Sequence, residues 1–288
     1  MEVAATHFQL AESMEQRIIA KVNEGKLLMK LKASVEEIVP SFLTAIKDCM
    51  VTIRSIEQAK QLLPLEVVVN VTKLLMYQNK FQEAMAIILY GSTLYNSATL
   101  CLFLGIIYYR LDKFAESEEV LLEGNLLNPC HADIWAYLCM VCIAQGYSRI
   151  PEAEDCLFQT LRLGQNDPNI LREIATAFIS MDKLQTAEDL IRRTMSIETM
   201  NKGVSPYTRK LLADVLAGQN LAAKAIDEYQ ALLTAEEVDL ATKLSVAEKC
   251  VNLLVSLGRE EELAALNNII TNLRIQQVQQ LQQDSPQE

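Results

Sequence analysis

Thirty-four residues separate Leu104-Gly105 from Leu138-Cys139, and the apolar and small residues around both pairs recur in the same order. With Ala98 as the first position, Cys101, Leu104, Gly105, Tyr108, Phe114, Ser117, Leu121, Gly124 and Pro129 describe a two-helix unit closed by proline. The next unit begins at Ala132 and carries Trp135, Leu138, Cys139 and Cys142 on its first helix. Such a first helix buries a stripe at i, i+3, i+4 and i+7. The second helix can lie close to it only where side chains are small, which is the role expected of Gly105, Ser117 and Gly124. One pair cannot cover its own apolar faces, so neighbouring pairs must stack.

The pattern returns along the chain. Val68, Val71, Leu75, Phe81, Ala84, Ile88 and Gly91 fit a unit upstream, and Leu171, Ile174, Ala175, Phe178, Leu184, Ala187 and Ile191 fit one downstream. Tyr147 to Pro151 lengthen the turn between Leu138 and Ile174, while Ala153 and Ala187 stay in step, so the insertion belongs to a loop. After Asn201 to Pro206, Leu212, Ala213, Leu216, Ala225 and Tyr229 give a weaker copy, and Leu254, Leu257-Gly258 and Leu263 mark a last one. The period and residue order resemble the tetratricopeptide repeat. That resemblance implies an all-α fold, a right-handed superhelical solenoid of tetratricopeptide-like helix pairs. Leu104, Gly105, Tyr108, Ser117, Gly124, Trp135, Leu138, Ala153 and Ala187 are its expected packing residues.

Three regions follow. Residues 1–63 read as two or three atypical helices, punctuated near Gly25, Pro40 and Pro64, that cap the array or dock elsewhere; residues 64–272 hold about six repeats; residues 273–288 form a glutamine-rich helix or tail. Ile275, Val278 and Leu281 space a thin apolar stripe through that last region, and Asp284 to Glu288 are expected to be disordered. No alternating runs bounded by turn pairs announce strands.

A net charge of −11 and a sequence pI near 4.9 disfavour nucleic-acid binding, which needs a basic stripe, and disfavour adhesion to anionic membrane. The longest apolar stretch, Cys101 to Tyr109, is too short to span a bilayer. The first residues, with Glu2 and His7, lack signal-peptide character. Seven cysteines mostly occupy apolar helical positions, as expected of a reducing compartment such as the cytoplasm. Lys21, Lys26, Lys30 and Lys32 form the one locally basic stretch, either a solvated helix face or a contact for an acidic partner.

Cys139 and Cys142 have the spacing of a zinc or redox pair, but both fall on packing positions, and cysteine is at home there as a small apolar residue. His7 and His131 are the two imidazoles, and neither sits in a motif with a nucleophile, base and orienter. No glycine-rich phosphate loop is present. We therefore expect no catalytic residue, no metal and no cofactor. The stacked first helices should line a groove, projected from Leu102, Ile106, Tyr109, Arg110, Ala136, Met140, Ile143, Arg172 and Thr176. This groove is apolar and lacks the lysine and asparagine set of a carboxylate clamp. It suits an amphipathic partner segment, unless curvature of the stack simply covers it. If it is open, Ile106→Glu or Met140→Glu should spare the fold.

Leu104-Gly105-Ile106, Tyr109-Arg110-Leu111, Ala115 to Glu118, Asn125 to Asn128, Ala132 to Leu138, Ala153-Glu154, Leu161 to Leu163 and Leu171 to Ile174 together resemble the C-terminal repeats of the cilia and flagella associated protein 70 family. The resemblance covers about Leu102 to Ile174. It implies a non-enzymatic scaffold, a structural subunit of a ciliary or flagellar axonemal complex with several protein partners. Members of that family carry a large region before the repeats. Microtubules, being acidic, would be reached only indirectly. A soluble adaptor of trafficking or quality control that recognises a short peptide would use the same solenoid, as would an enzyme regulator.

Overall fold

The computed structural model describes residues 2–201, 203–235 and 238–283, with side chains from Met14 to Ile275 apart from the two short gaps. Among them are fifteen α-helices, one short 3-10 turn and no strand. The chain divides into two compact units, 1–163 and 164–288. In the first, α1 (Glu2–Lys30), α2 (Val35–Thr52) and α3 (Ile56–Leu62) precede three pairs: α4 (Leu65–Tyr77) with α5 (Phe81–Leu94), α6 (Ala98–Arg110) with α7 (Phe114–Leu127), and α8 (Ala132–Ala144) with α9 (Ile150–Arg162). Each second helix also packs on the next first helix, α5 on α6 and α7 on α8, while α2 packs on α4. The second unit holds α10 (Pro168–Ser180) with α11 (Leu184–Asn201), α12 (Pro206–Gly218) with α13 (Ala222–Thr234), and α14 (Leu240–Leu257) with α15 (Glu260–Gln283).

Small residues set the distance within a pair. A Cβ on Gly105 would stand 2.5 Å from Leu121 Cγ, so α6 and α7 touch at a point where no larger residue fits. The buried Ser117 hydroxyl completes this contact by donating to the Gly105 carbonyl at 2.8 Å. Gly91 and Gly124 make matching contacts in successive pairs. A Cβ there would lie 2.7 Å from Val68 Cγ1 and 2.9 Å from Cys101 Cβ, each in the first turn of the partner helix. Leu104, Leu138, Ala153 and Ala187 are all buried, whereas Tyr108 and Trp135 are half-buried. The Trp135 indole donates to the Pro129 carbonyl at 2.9 Å, anchoring the turn before α8.

The turn inside each pair is closed by a residue that tolerates left-handed backbone. Asn79, Asp112, Asp182 and Asn220 take φ values of 57°, 58°, 56° and 62° at equivalent places. The following amide then reaches back five residues, as from Lys80 to the Leu75 carbonyl at 2.9 Å and from Lys113 to the Tyr108 carbonyl at 2.9 Å. Asparagine and aspartate bear this conformation better than other non-glycine residues. The third pair departs from the rule: Gly146, at φ 114°, leads into the 3-10 turn Tyr147–Arg149, which absorbs the insertion outside the helices.

Two expectations for the first 63 residues need correction. Gly25 lies inside α1 and Pro40 inside α2, so neither is a break. Gly25 is instead a packing residue, since a Cβ there would stand 2.6 Å from the Phe42 ring. The breaks fall at 31–34 and 53–55. At the other end α15 runs uninterrupted to Gln283. The side chains of Val278 and Leu281, the side chain of His7, and Asp284 to Glu288 lie outside the described residues.

Gly105→Leu should cost about 1–3 kcal/mol by overpacking the α6–α7 contact. A thermal melt that coincides with the parent would contradict this geometry.

Candidate functional site

The expected groove residues do not lie open together. Leu102, Ile106, Ala136, Met140 and Ile143 are buried, none more than 7% exposed. The reason is lateral packing of first helices: α6 touches both α4 and α8, and large apolar side chains along them are covered instead of lining a trough. From Ile134 to Ile143 every α8 side chain except Trp135 is buried, the pattern of a helix that is apolar all round. An apolar partner-facing groove through these five residues is therefore replaced by core.

What stays accessible is polar and aromatic. Tyr109 is half-buried, its ring 5.8 Å from Phe114 and edge-on to Tyr137 at 6.2 Å, so it joins neighbouring first helices. The Arg110 guanidinium is exposed and sits 5.8 Å over the Tyr109 ring. On α4, Lys73 and Tyr77 are exposed, with the Lys73 ammonium 5.4 Å from the Phe103 ring.

In the second unit Arg172 does something else. Its guanidinium pairs with the buried carboxylate of Glu198 and donates to Thr208 Oγ1 at 2.9 Å. Glu198 also accepts from the Thr208 hydroxyl at 2.9 Å and from the Ser205 amide at 3.0 Å. The network ties α10 and α11 to the segment entering α12, so the sequence break after Asn201 is held by a buried ion pair. Thr176 is exposed, and its hydroxyl donates to the Arg172 carbonyl at 2.8 Å.

A comparable clamp secures the insertion in the first unit. Arg149 donates from Nη2 to Glu118 Oε1 at 2.8 Å and from Nη1 to Glu118 Oε2 at 3.0 Å, linking the 3-10 turn to α7. The Arg149 guanidinium holds the Glu118 carboxyl below the usual carboxylate range. Beside it, a hydrogen bond from Cys156, reinforced by Arg149 at 3.6 Å, lowers the Cys142 thiol, and the same bond raises Cys156. Burial pushes Cys139 up. Among the described residues no group of three or more His, Cys, Asp or Glu side chains is placed to hold a metal ion, and no helix is long and apolar enough to cross a membrane.

Met140→Glu should now cost about 4 kcal/mol or more, because it buries an unpaired charge; a melt close to the parent would return Met140 to an open surface. The depressed pKa of Glu118 means that its pair stabilises at neutral pH and that the contribution is lost as pH falls through the folded pKa. Glu118→Gln should therefore lower the melting temperature at neutral pH, with the gap from the parent closing as pH falls below the usual carboxylate range. A gap that stays constant over this range would show that the carboxylate charge contributes nothing.

Solved structures share this architecture. The C-terminal part of a TPR repeat-containing protein from Cytophaga hutchinsonii superposes with a TM-score of 0.59 at 13% identity, covering 88% of this chain and 95% of that one. A tetratricopeptide repeat protein from Parabacteroides merdae gives 0.56 at 14% identity over 90% and 99%. These likenesses establish an all-α solenoid of tetratricopeptide-like pairs. In sequence, cilia- and flagella-associated protein 70 of Macaca fascicularis is 42% identical over 73 residues, which are 25% of this chain and 7% of that protein. The chain thus matches only a small part of the length of that relative. A profile of the cilia and flagella-associated protein 70 C-terminal domain matches residues 49–248, from the end of α2 into α14. By that match across most of its helix pairs, the chain belongs to the cilia and flagella-associated protein 70 C-terminal domain family.

Proposed function

We propose that this chain is a non-enzymatic protein–protein interaction scaffold of cilia or flagella, a structural subunit of an axonemal complex. The observation that carries this reading is the profile match over residues 49–248, which takes in a series of helix pairs and not one motif. The relatives that share the sequence are named for association with cilia and flagella. In this reading residues 64–272 supply the repeat array, residues 1–63 cap it or dock elsewhere, and residues 273–288 are a glutamine-rich helix or tail.

The fold supports the scaffold role physically. Within each unit a stacked pair contacts mainly its neighbours and leaves the remaining helix faces open, so different segments of the chain can hold different proteins. Partner contacts on first helices fall to the accessible side chains: Lys73, Tyr77, Tyr109 and Arg110 in the first unit and Thr176 in the second. An aromatic and cationic set of this kind reads polar and acidic segments better than an apolar helix. The net charge of −11 opposes direct contact with an acidic microtubule surface, so attachment there runs through partner proteins.

Proximity labelling in a ciliated cell, read together with localisation, tests this. Enrichment of axonemal proteins and signal along the cilium are expected. A diffuse cytosolic signal with one trafficking or enzyme complex among the neighbours would overturn the ciliary scaffold.

A further inference from the structure

The second helices of three successive pairs carry a line of exposed apolar side chains. Ala84, Ser117 and Ala153 occupy the same buried position of α5, α7 and α9. Five residues beyond each stand Leu89, Leu122 and Phe158, which are 45%, 48% and 63% exposed. Leu126, one turn past Leu122, is exposed as well. Residues at equivalent positions of stacked pairs line up along one face, so these side chains form a ridge and not scattered points. Exposed Glu119 and Glu123 flank Leu122, and exposed Glu154 and Asp155 stand one turn before Phe158. No lysine or arginine occurs in α5 or α7, and Arg162 is the single one in α9.

Exposed apolar side chains that recur at one position of successive helices offer a place for another surface. The carboxylates select which one. Two copies of this ridge would bring like charges together, which costs association energy, so the ridge does not pair with itself.

A surface of the opposite character lies on α1 of the same unit. Ile19 and Leu27 are exposed, and Leu31 follows directly after the helix end, also exposed. At 3.6 residues per turn the three fall within an arc of about 120°. Lys26 and Lys30 adjoin Leu27 and Leu31, and Lys32 follows, so this apolar strip is edged with ammonium groups. Lys21 is already engaged, donating to Glu24 at 2.6 Å.

We infer that α1 of one copy of this chain lies across the Leu89, Leu122 and Phe158 ridge of a second copy. The leucines and isoleucine of α1 cover the leucines and phenylalanine of the ridge, and the lysines meet Glu119, Glu123 and Asp155. Because the contact joins two different surfaces, each copy keeps one free face at either side, and copies add head to tail.

Analytical ultracentrifugation of the full purified chain, over a range of concentrations at low and high salt, tests the contact. Mass should rise with concentration and fall back toward the monomer when salt is raised, since the charged rim is screened. Leu122→Asp with Phe158→Asp should abolish association, and so should Leu27→Asp with Lys30→Glu. A mixture of the two double variants should stop at a dimer, because one retains only the α1 face and the other only the ridge. Melts of both should match the parent, as the positions are exposed; if the aspartates lower the melt, Leu122→Ser with Phe158→Ser replaces them. A chain that stays monomeric at every concentration, variants that associate like the parent, or a mixture that fails to dimerise would each overturn the inference.

Discussion

The close approach of paired helices is the constraint on which the structure depends. Gly105 against Leu121, Gly91 against Val68 and Gly124 against Cys101 bring helices to a separation that one methyl group would violate. At that separation the second helix of a pair reaches the next first helix as well: the Cβ on Gly91 would also meet Leu100, and that on Gly124 would meet Ile134. These two contacts are the same contact, one repeat apart. The stacking distance between pairs is thus set by the residues that set the distance within a pair. Tight stacking in turn carries Leu102, Ile106 and Met140 into the interior.

Irregularities in the repeat are handled by charge. The insertion after Gly146 and the break after Asn201 both interrupt the helical pattern, and each is spanned by an arginine gripping a glutamate from a different helix, Arg149 with Glu118 and Arg172 with Glu198. The bidentate Arg149–Glu118 pair fixes orientation as well as distance, which apolar packing alone does poorly in an irregular segment. Arg172 holds its segment by meeting Glu198 and Thr208 together, although its register placed it among partner-binding residues.

Much of the architecture was legible because period is a global property of the sequence. The thirty-four-residue step from Gly105 to Cys139 and the small residue at Ser117 read directly as helix pairs. Local punctuation was less legible: Gly25 and Pro40 look like breaks, yet glycine also serves where a ring such as Phe42 must come close, and α2 continues through Pro40. The turn residues Asn79, Asp112, Asp182 and Asn220 carried a signal, their recurrence two residues before four of the second helices, that apolar periodicity does not register. The candidate site was the least legible part. Register tells which way Met140 faces along the stack, but whether a neighbour reaches over it depends on side-chain size across several helices at once.

The asparagine and aspartate turns bear on how the chain reaches this state. Each lets a pair close through contacts that span few residues, because the amide after it bonds back only five residues. Loop-closure entropy is small for such short separations, and topologies rich in local contacts cross their folding barriers fast. A pair emerging from the ribosome can thus form its hairpin before the next is made, and then serve as the template on which that one docks. Synthesis from the amino end would build the array in order, with the unfinished edge always the most recently made helix.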